Sequence, residues 1–365
     1  MKAANEITTS QKQAEAAINQ IKIEVAYGLF KLANLYFAQS QPTQALSAID
    51  SALTLQPTFA EAHYERGRVL FELKRLQEAL VAFDSALTLQ PNFASAHQGR
   101  GVVLFQLKHF PQALAAFDSA LTLMPNSPNA HYGRGWALFE LKHFQEALAA
   151  FDSALTLRPN FARAHYGRGR ILIELKRFQE ALAAFDSALT LRPNFDLAHY
   201  RRGCVLVSLQ RFAEALANYE MALKSQPNQG TWLVAHGLVL LQLNRPNEAK
   251  VSLIKALQNN LVEAELEKEC QALLKQVILA SRAVNDNYNE LSVEGTQASS
   301  GLKSDRREPN DDSVDPNSRV TKLRRSSDEN LEIEGNLNLF FLAGIKREEG
   351  VEEPTKGNLH PTPGK

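Results

Sequence analysis

The sequence predicts an all-α chain, an α-solenoid of seven 34-residue helix–turn–helix repeats with a capping helix and a long polar tail. Three observations carry this. The stretch 128–161 recurs at 162–195, the two agreeing at 28 of 34 positions. Prolines keep the same step: Pro57, Pro91, Pro125, Pro159, Pro193 and Pro227. So do small residues, in a Gly/Ala series (Ala33, Gly67, Gly101, Gly135, Gly169, Gly203, Gly237) and two Ala series running from Ala45 to Ala249 and from Ala52 to Ala256. A fixed period of this length is the mark of a stacked-repeat architecture, in which each unit buries its apolar face on its neighbours.

The elements follow in order. Residues 1–25 continue without Pro or proline-like breaks into the first repeat, so one helix is expected from about Ser10, capped by Thr8, Thr9 or Ser10, to about Ala38, covering the end of the stack. The units are 26–59, 60–93, 94–127, 128–161, 162–195, 196–229 and 230–263. In 60–93, apolar residues at helical spacing place a first helix over Ala60 to Leu73 and a second over Gln77 to Leu89, with Lys74 and Arg75 in the turn. Pro91 stops the second helix, because proline lacks the N–H and restricts the residue before it. Small residues belong where two helices cross closely. Leu261 replaces the proline due in the seventh unit. Residues 264–284 form an amphipathic capping helix with Leu266, Leu273, Leu274, Val277 and Ile278 on one stripe. From 285 to 365 the chain turns polar and is expected to be mostly disordered.

An ion-pair ladder can be argued from the period. Acids recur at Asp50, Asp84, Asp118, Asp152, Asp186 and Glu220, and bases at Arg66, Arg100, Arg134, Arg168, Arg202 and His236. Pairing within a unit would orphan Asp50 and His236. Pairing each acid with the base 16 residues on, in the next unit, orphans none. Five histidines, His63, His97, His131, His165 and His199, also keep the step. Equivalent positions lie about 10 Å apart, too far to share a zinc that needs ligands at about 2 Å. They are expected to pack between helices, and to make the stack acid-sensitive if held neutral.

The period together with the Gly/Ala…Ala…Phe…Ala…Pro spacing resembles the tetratricopeptide repeat family, over about 26–263. The five histidines depart from it, standing where the family often carries a large aromatic. The resemblance implies a right-handed solenoid whose first helices line a concave face through positions two, five, six, nine, twelve and thirteen. On that face Tyr64, Arg68, Tyr132, Trp136, Tyr166, Arg170, Tyr200 and Arg201 are the candidate partner-binding residues, because Tyr, Trp and Arg dominate interface energetics. Gly99, Gly133 and Gly167, at position six, would clear the groove floor for a ligand. Two binding modes of the family find no match. The basic clamp of co-chaperones would fall on Phe30, Asn34, Glu65, Ser95 and Gly99, where only Asn34 fits. The position-six Asn ladder of a sugar transferase falls on Lys31, Glu65, Gly99, Gly133, Gly167, Arg201 and Ala235.

Composition bounds the rest. Formal net charge is zero, which gives no bulk attraction to nucleic acid or membrane. Two cysteines, Cys204 and Cys270, fit a reducing compartment. With no signal-peptide h-region and no run of the roughly 20 apolar residues that span a bilayer, a cytoplasmic protein is expected. No nucleophile–base set, phosphate loop or paired-Cys zinc motif is present, so no enzyme, cofactor or metal is expected. The leading reading is a non-catalytic protein-interaction scaffold that binds a peptide or helix in the groove. A second is a nucleic-acid binder using Arg163, Arg170, Arg201 and Arg202, opposed by Glu72, Glu140 and Glu174 on the same face. A third is self-association, or autoinhibition by the tail segment 333–345, where Ile333, Leu337, Phe341 and Ile345 are four apart. Arg324-Arg325-Ser326-Ser327 resembles a basic-directed kinase site.

Overall fold

The computed structural model describes residues 2–259, 267–268 and 270–279. The described chain is all helical and falls into two compact units divided between Lys176 and Arg177. The first holds α1 (Lys2–Ala38), α2 (Pro42–Leu55), α3 (Ala60–Glu72), α4 (Leu76–Leu89), α5 (Ala94–Gln106), α6 (Phe110–Leu123), α7 (Pro128–Glu140), α8 (Phe144–Leu157) and α9 (Ala162–Glu174). The second holds α10 (Phe178–Leu191), α11 (Asp196–Ser208), α12 (Phe212–Ser225), α13 (Gly230–Gln242), α14 (Pro246–Gln258) and a helical stretch over 270–279. Within each unit, consecutive helices pack as antiparallel pairs and each pair packs on the next.

The small-residue series does what helix crossing requires. Ala45, Ala79, Ala113, Ala147, Ala181, Ala215 and Ala249 are all fully buried, as are Ala52, Ala86, Ala154, Ala188, Ala222 and Ala256. Second helices stop two residues ahead of the periodic prolines, as at Leu55 before Pro57 and Leu89 before Pro91. Pro42, Pro128 and Pro246 open their helices at the first helical position, where the missing N–H costs nothing.

The turn inside each repeat takes a form that the sequence does not announce. Lys74 N donates to Phe71 O and Arg75 N to Leu70 O, the paired bonds of a Schellman motif, with Lys74 at φ 61°. The same left-handed residue recurs at Ser40, Lys108, Lys142, Lys176, Gln210 and Asn244. Glycine is the residue suited to this conformation, and none of the seven is glycine. Arg75 turns its charge to Glu78 at 2.7 Å rather than to the end of α3.

The ladder is present between repeats as expected. Nε of Arg66, Arg100, Arg134, Arg168 and Arg202 donates to Oδ1 of Asp50, Asp84, Asp118, Asp152 and Asp186 at 2.6–2.7 Å. The arginines are half-buried and the aspartates half-exposed, so each pair fixes register more than it adds stability. At the equivalent place His236 Nε2 stands 4.0 Å from Glu220, an ion pair only when the imidazole is protonated.

Two features differ from expectation at the N-terminus. α1 begins at Lys2, passing through Thr8–Ser10, because nothing in that stretch breaks a helix. It also does not cover the end of the stack along its length. Every residue from Ser10 to Val25 is exposed, and burial starts at Ala26 and Ala33, which face α2. At the other end, Cys270 and Val277 are buried, and Cys270 Sγ donates to Leu253 O at 3.6 Å, seating 270–279 on α14. Burial pushes the Cys270 thiol up to about 11, which leaves it inert. Leu266, the segment 333–345 and the Arg324–Ser327 string lie outside the described residues.

Candidate protein-binding surface

In the first compact unit the first helices approach one another, α1 to α3, α3 to α5, α5 to α7 and α7 to α9, a closeness the second helices do not share to that degree. The candidate contact residues lie on these helices, and most of them are interior. Tyr132 and Trp136 are fully buried, Tyr166 is 3% exposed and Tyr64 is 7% exposed. Tyr64 packs on Phe83 and on Phe93, whose ring lies 4.9 Å away; Tyr132 meets Phe161 at the same distance, and Trp136 meets Phe139 and Phe151 at 5.5 Å. In the second unit Tyr200 stacks on Trp232 at 5.3 Å. The aromatics are thus core between repeats, Tyr64 and Tyr132 held by the Phe that ends their unit and caps the next first helix, and Tyr200 by Trp232. As placed, they offer a partner no surface.

The arginines divide. Arg68 is buried, its Nη1 donating to both carboxylate oxygens of Glu65 at 2.9 and 2.7 Å, its guanidinium 5.1 Å over the Phe37 ring. Burial of Tyr64 beside this pair pushes its phenol up to about 12, Glu65 adding to the rise and Arg68 opposing it. Arg201 is 2% exposed, over Tyr200 at 5.6 Å. Arg202, of the supposed nucleic-acid cluster, is engaged by Asp186. Arg170 is half-buried, lying 5.3 Å from the Trp136 ring and 4.8 Å from that of Phe139. Of the eight candidates it is the one with side chain left at the surface.

The position-six glycines do not clear a floor. A Cβ on Gly99, Gly133 or Gly167 would stand 2.5–2.7 Å from the ring of Phe83, Phe117 or Phe151, in the preceding repeat. The same rings crowd Gly67, Gly101 and Gly135, in their own repeats, at 2.8–2.9 Å. Each Phe is a ring clamped between two glycines. The space the sequence suggests is open to a ligand is filled by a neighbour's side chain.

The histidines are tethers. Nε2 of His63, His97, His131, His165 and His199 lies 2.9 Å from the carbonyl oxygen of the proline six residues earlier. A carbonyl only accepts, so Nε2 carries the proton, in neutral and charged forms alike. Among the described residues no three His, Cys, Asp or Glu side chains converge to hold a metal ion.

Of the lining positions, two keep side chain at the surface: position two, with Glu61 exposed and Ser95, Asn129 and Arg163 half-buried, and position thirteen, the last residue of each first helix, with Glu72 exposed and Gln106, Glu140 and Glu174 half-buried, Phe139 and Arg170 beside them. The period shows that these residues share a face; the structure shows that they, and not the tyrosines, reach solvent.

These features define a helical-repeat scaffold. The tetratricopeptide repeat profile matches residues 30–94, 81–131, 99–160, 132–194 and 200–275. The chain belongs to the tetratricopeptide repeat family, whose members typically mediate protein–protein interactions. No curated protein matches it. Among solved structures it is similar to a tetratricopeptide repeat protein of Parabacteroides merdae, at 20% identity over 70% of this chain and 99% of that one, TM-score 0.54. It is similar to Pseudomonas aeruginosa PilF at 20% identity, over 58% and 96%, TM-score 0.53, and to a chain of the APC/C hetero-tetramer Cut9-Hcn1 at 18%, over 68% and 55%, TM-score 0.53. At these identities the likeness is one of fold. No helix among the described residues is long and apolar enough to cross a membrane.

Proposed function

We propose that the chain is a non-catalytic scaffold that binds an extended segment of another protein along the first-helix side of α3 to α9. One observation carries the reading. On first helices buried around most of their circumference, the last residue emerges as a row, Glu72, Gln106, Glu140 and Glu174, beside the half-buried Arg170 and Phe139. Successive repeats offset the row by about 10 Å, close to three residues of an extended chain at about 3.3 Å each. The matching ligand carries Lys or Arg at every third position and an apolar side chain for the Phe139 patch. Three carboxylates along this path oppose a phosphate backbone, which disfavours the nucleic-acid alternative.

The test is fluorescence anisotropy of the full chain with two labelled peptides, one with Lys at every third position around a Phe, the other with Glu in place of Lys. The basic peptide should bind. Glu140→Lys/Glu174→Lys should weaken it by about tenfold and admit the acidic one. Equal binding of both peptides, or binding indifferent to the reversal, overturns the reading. Substitutions at Tyr132, Tyr166 or Tyr200 would test folding and not binding, since those residues are buried.

A further inference from the structure

From Ser10 to Val25, α1 packs on nothing: no residue there is even half-buried, although the segment is continuous helix. A helix of this length without tertiary contacts is marginal in water. Most of its exposed apolar residues are also arranged, Ile23 and Tyr27 standing off the pattern. Ala14, Ile18, Ile21, Val25, Gly28, Leu32 and Leu35 follow one another in alternating steps of four and three. That is the a/d repeat of a coiled coil, sustained over three heptads. The stripe is open throughout: Ile18 is 53% exposed, Ile21 59%, Val25 47%, Leu32 40% and Leu35 60%. A Cβ on Gly28 would touch nothing within 4 Å. The residues of α1 that do face α2, Ala26 and Ala33, lie off this stripe.

We infer that α1 is a self-association helix, and that the occupant of its open stripe is α1 of a second copy. Period and charge both select this partner. A straight helix drifts against a 3.5-residue repeat, so a groove on a folded domain has no need of strict a/d spacing, whereas a partner helix coiling with α1 does. Flanking the seam at successive e positions are Glu15 and Lys22, both exposed. In an antiparallel pair with Ile18 of one copy beside Ile21 of the other, each Glu15 lies opposite the other copy's Lys22. In a parallel pair the flanking g–e neighbours are Ser10 with Glu15, Ala17 with Lys22 and Glu24 with Leu29, none of opposite charge. The antiparallel arrangement is therefore the one the charges favour, and it directs the two repeat arrays away from each other's seam. This interface is separate from the row proposed for partner binding, on α3 to α9, and stands or falls independently of it.

Sedimentation equilibrium of the full chain over a range of concentrations tests the inference. The mass should rise with concentration toward twice the 40.5 kDa of one chain. Ile18→Glu/Ile21→Glu, at exposed sites and with unchanged far-UV circular dichroism over the repeats, should stay at the single-chain mass. Glu15→Lys should weaken the dimer, and Glu15→Lys/Lys22→Glu should restore it. A parent chain that remains monomeric, or a dimer that survives Ile18→Glu/Ile21→Glu, overturns the inference. So does a dimer abolished by Phe341→Glu in the tail, which would assign the stripe to residues 333–345.

Discussion

Substituting Gly167 by alanine puts the clamped ring to a quantitative test. The new Cβ would stand 2.5 Å from Phe151 Cε1 and 2.6 Å from Cζ. The ring's retreat is limited, because Gly135 approaches it from the other side, where a Cβ would be at 2.9 Å. Overpacking of this kind costs about 1–3 kcal/mol. Against it stands the helix propensity of Ala over Gly, up to ~1 kcal/mol. The net expectation is a loss of about 1 kcal/mol. Gly28→Ala supplies the control at concentrations where the chain is monomeric, since its Cβ then meets nothing and only the propensity gain applies, so the two substitutions should have opposite signs. Urea unfolding followed by far-UV circular dichroism reads both: the midpoint should fall for Gly167→Ala and hold or rise for Gly28→Ala. Phe151→Leu in the Gly167→Ala background should recover part of the loss. Elsewhere in the array the residue that follows the ring is not always glycine: Phe185 precedes Arg201, and Tyr219 precedes Ala235. An unmoved or raised midpoint in Gly167→Ala would mean that Phe151 has room to move aside, and would refute the clamp as the reason for the glycine.

Two further predictions concern the turns and the last rung of the ladder. Lys108→Gly, at φ 61°, should raise the thermal midpoint, relieving a left-handed backbone that costs a side-chain-bearing residue about 1 kcal/mol, while Lys108→Val should lower it. His236 is held below the usual imidazole range by burial and by Arg245, with Glu248 pulling the other way. The folded state therefore binds fewer protons than the unfolded chain just below the ordinary value of about 6.5. Its contribution is present above that value and is lost as pH falls through the depressed one. Thermal melts should show a midpoint that drops between about pH 7 and about pH 5 more steeply in the parent chain than in His236→Gln.

The period made the fold and its ladder legible, and it left depth illegible. A 34-residue step says which residues are equivalent, so a pairing that orphaned Asp50 could be rejected from the sequence. It does not say how far a side chain stands from water. Tyr64, Tyr132, Tyr166 and Tyr200 occupy positions that the resemblance assigns to a lining. They are covered because the residues closing over them stand far along the chain, Phe93 and Phe161 at the very end of the same repeat, where it leads into the next first helix, and Trp232 in the repeat that follows. The glycines at 99, 133 and 167 were open to the same error, since a missing side chain reads alike whether the space is empty or filled by a neighbour. The Schellman turns gave no signal because Lys and Gln, not Gly, hold the left-handed position. The exposure of α1 was hidden for a different reason: a helix without breakers looks the same whether or not it touches the body it leads into.

The identical joints of the middle repeats make the length of the array a free variable. From Asp84 to Arg168 each joint is the same: a carboxylate meets the guanidinium 16 residues on, and a ring slots between two glycines. Excising residues 128–161 would bring Phe117 against Gly167 and Asp118 against Arg168, contacts chemically the same as those removed. The ends do not share this interchangeability, since Ile49 precedes Glu65 in one and Tyr219 precedes Ala235 in the other. Unequal recombination between such near-identical segments would lengthen or shorten the middle in whole 34-residue steps without creating a new kind of interface. The reach of the acidic row would then be set by copy number, while the two termini kept their specialised fittings.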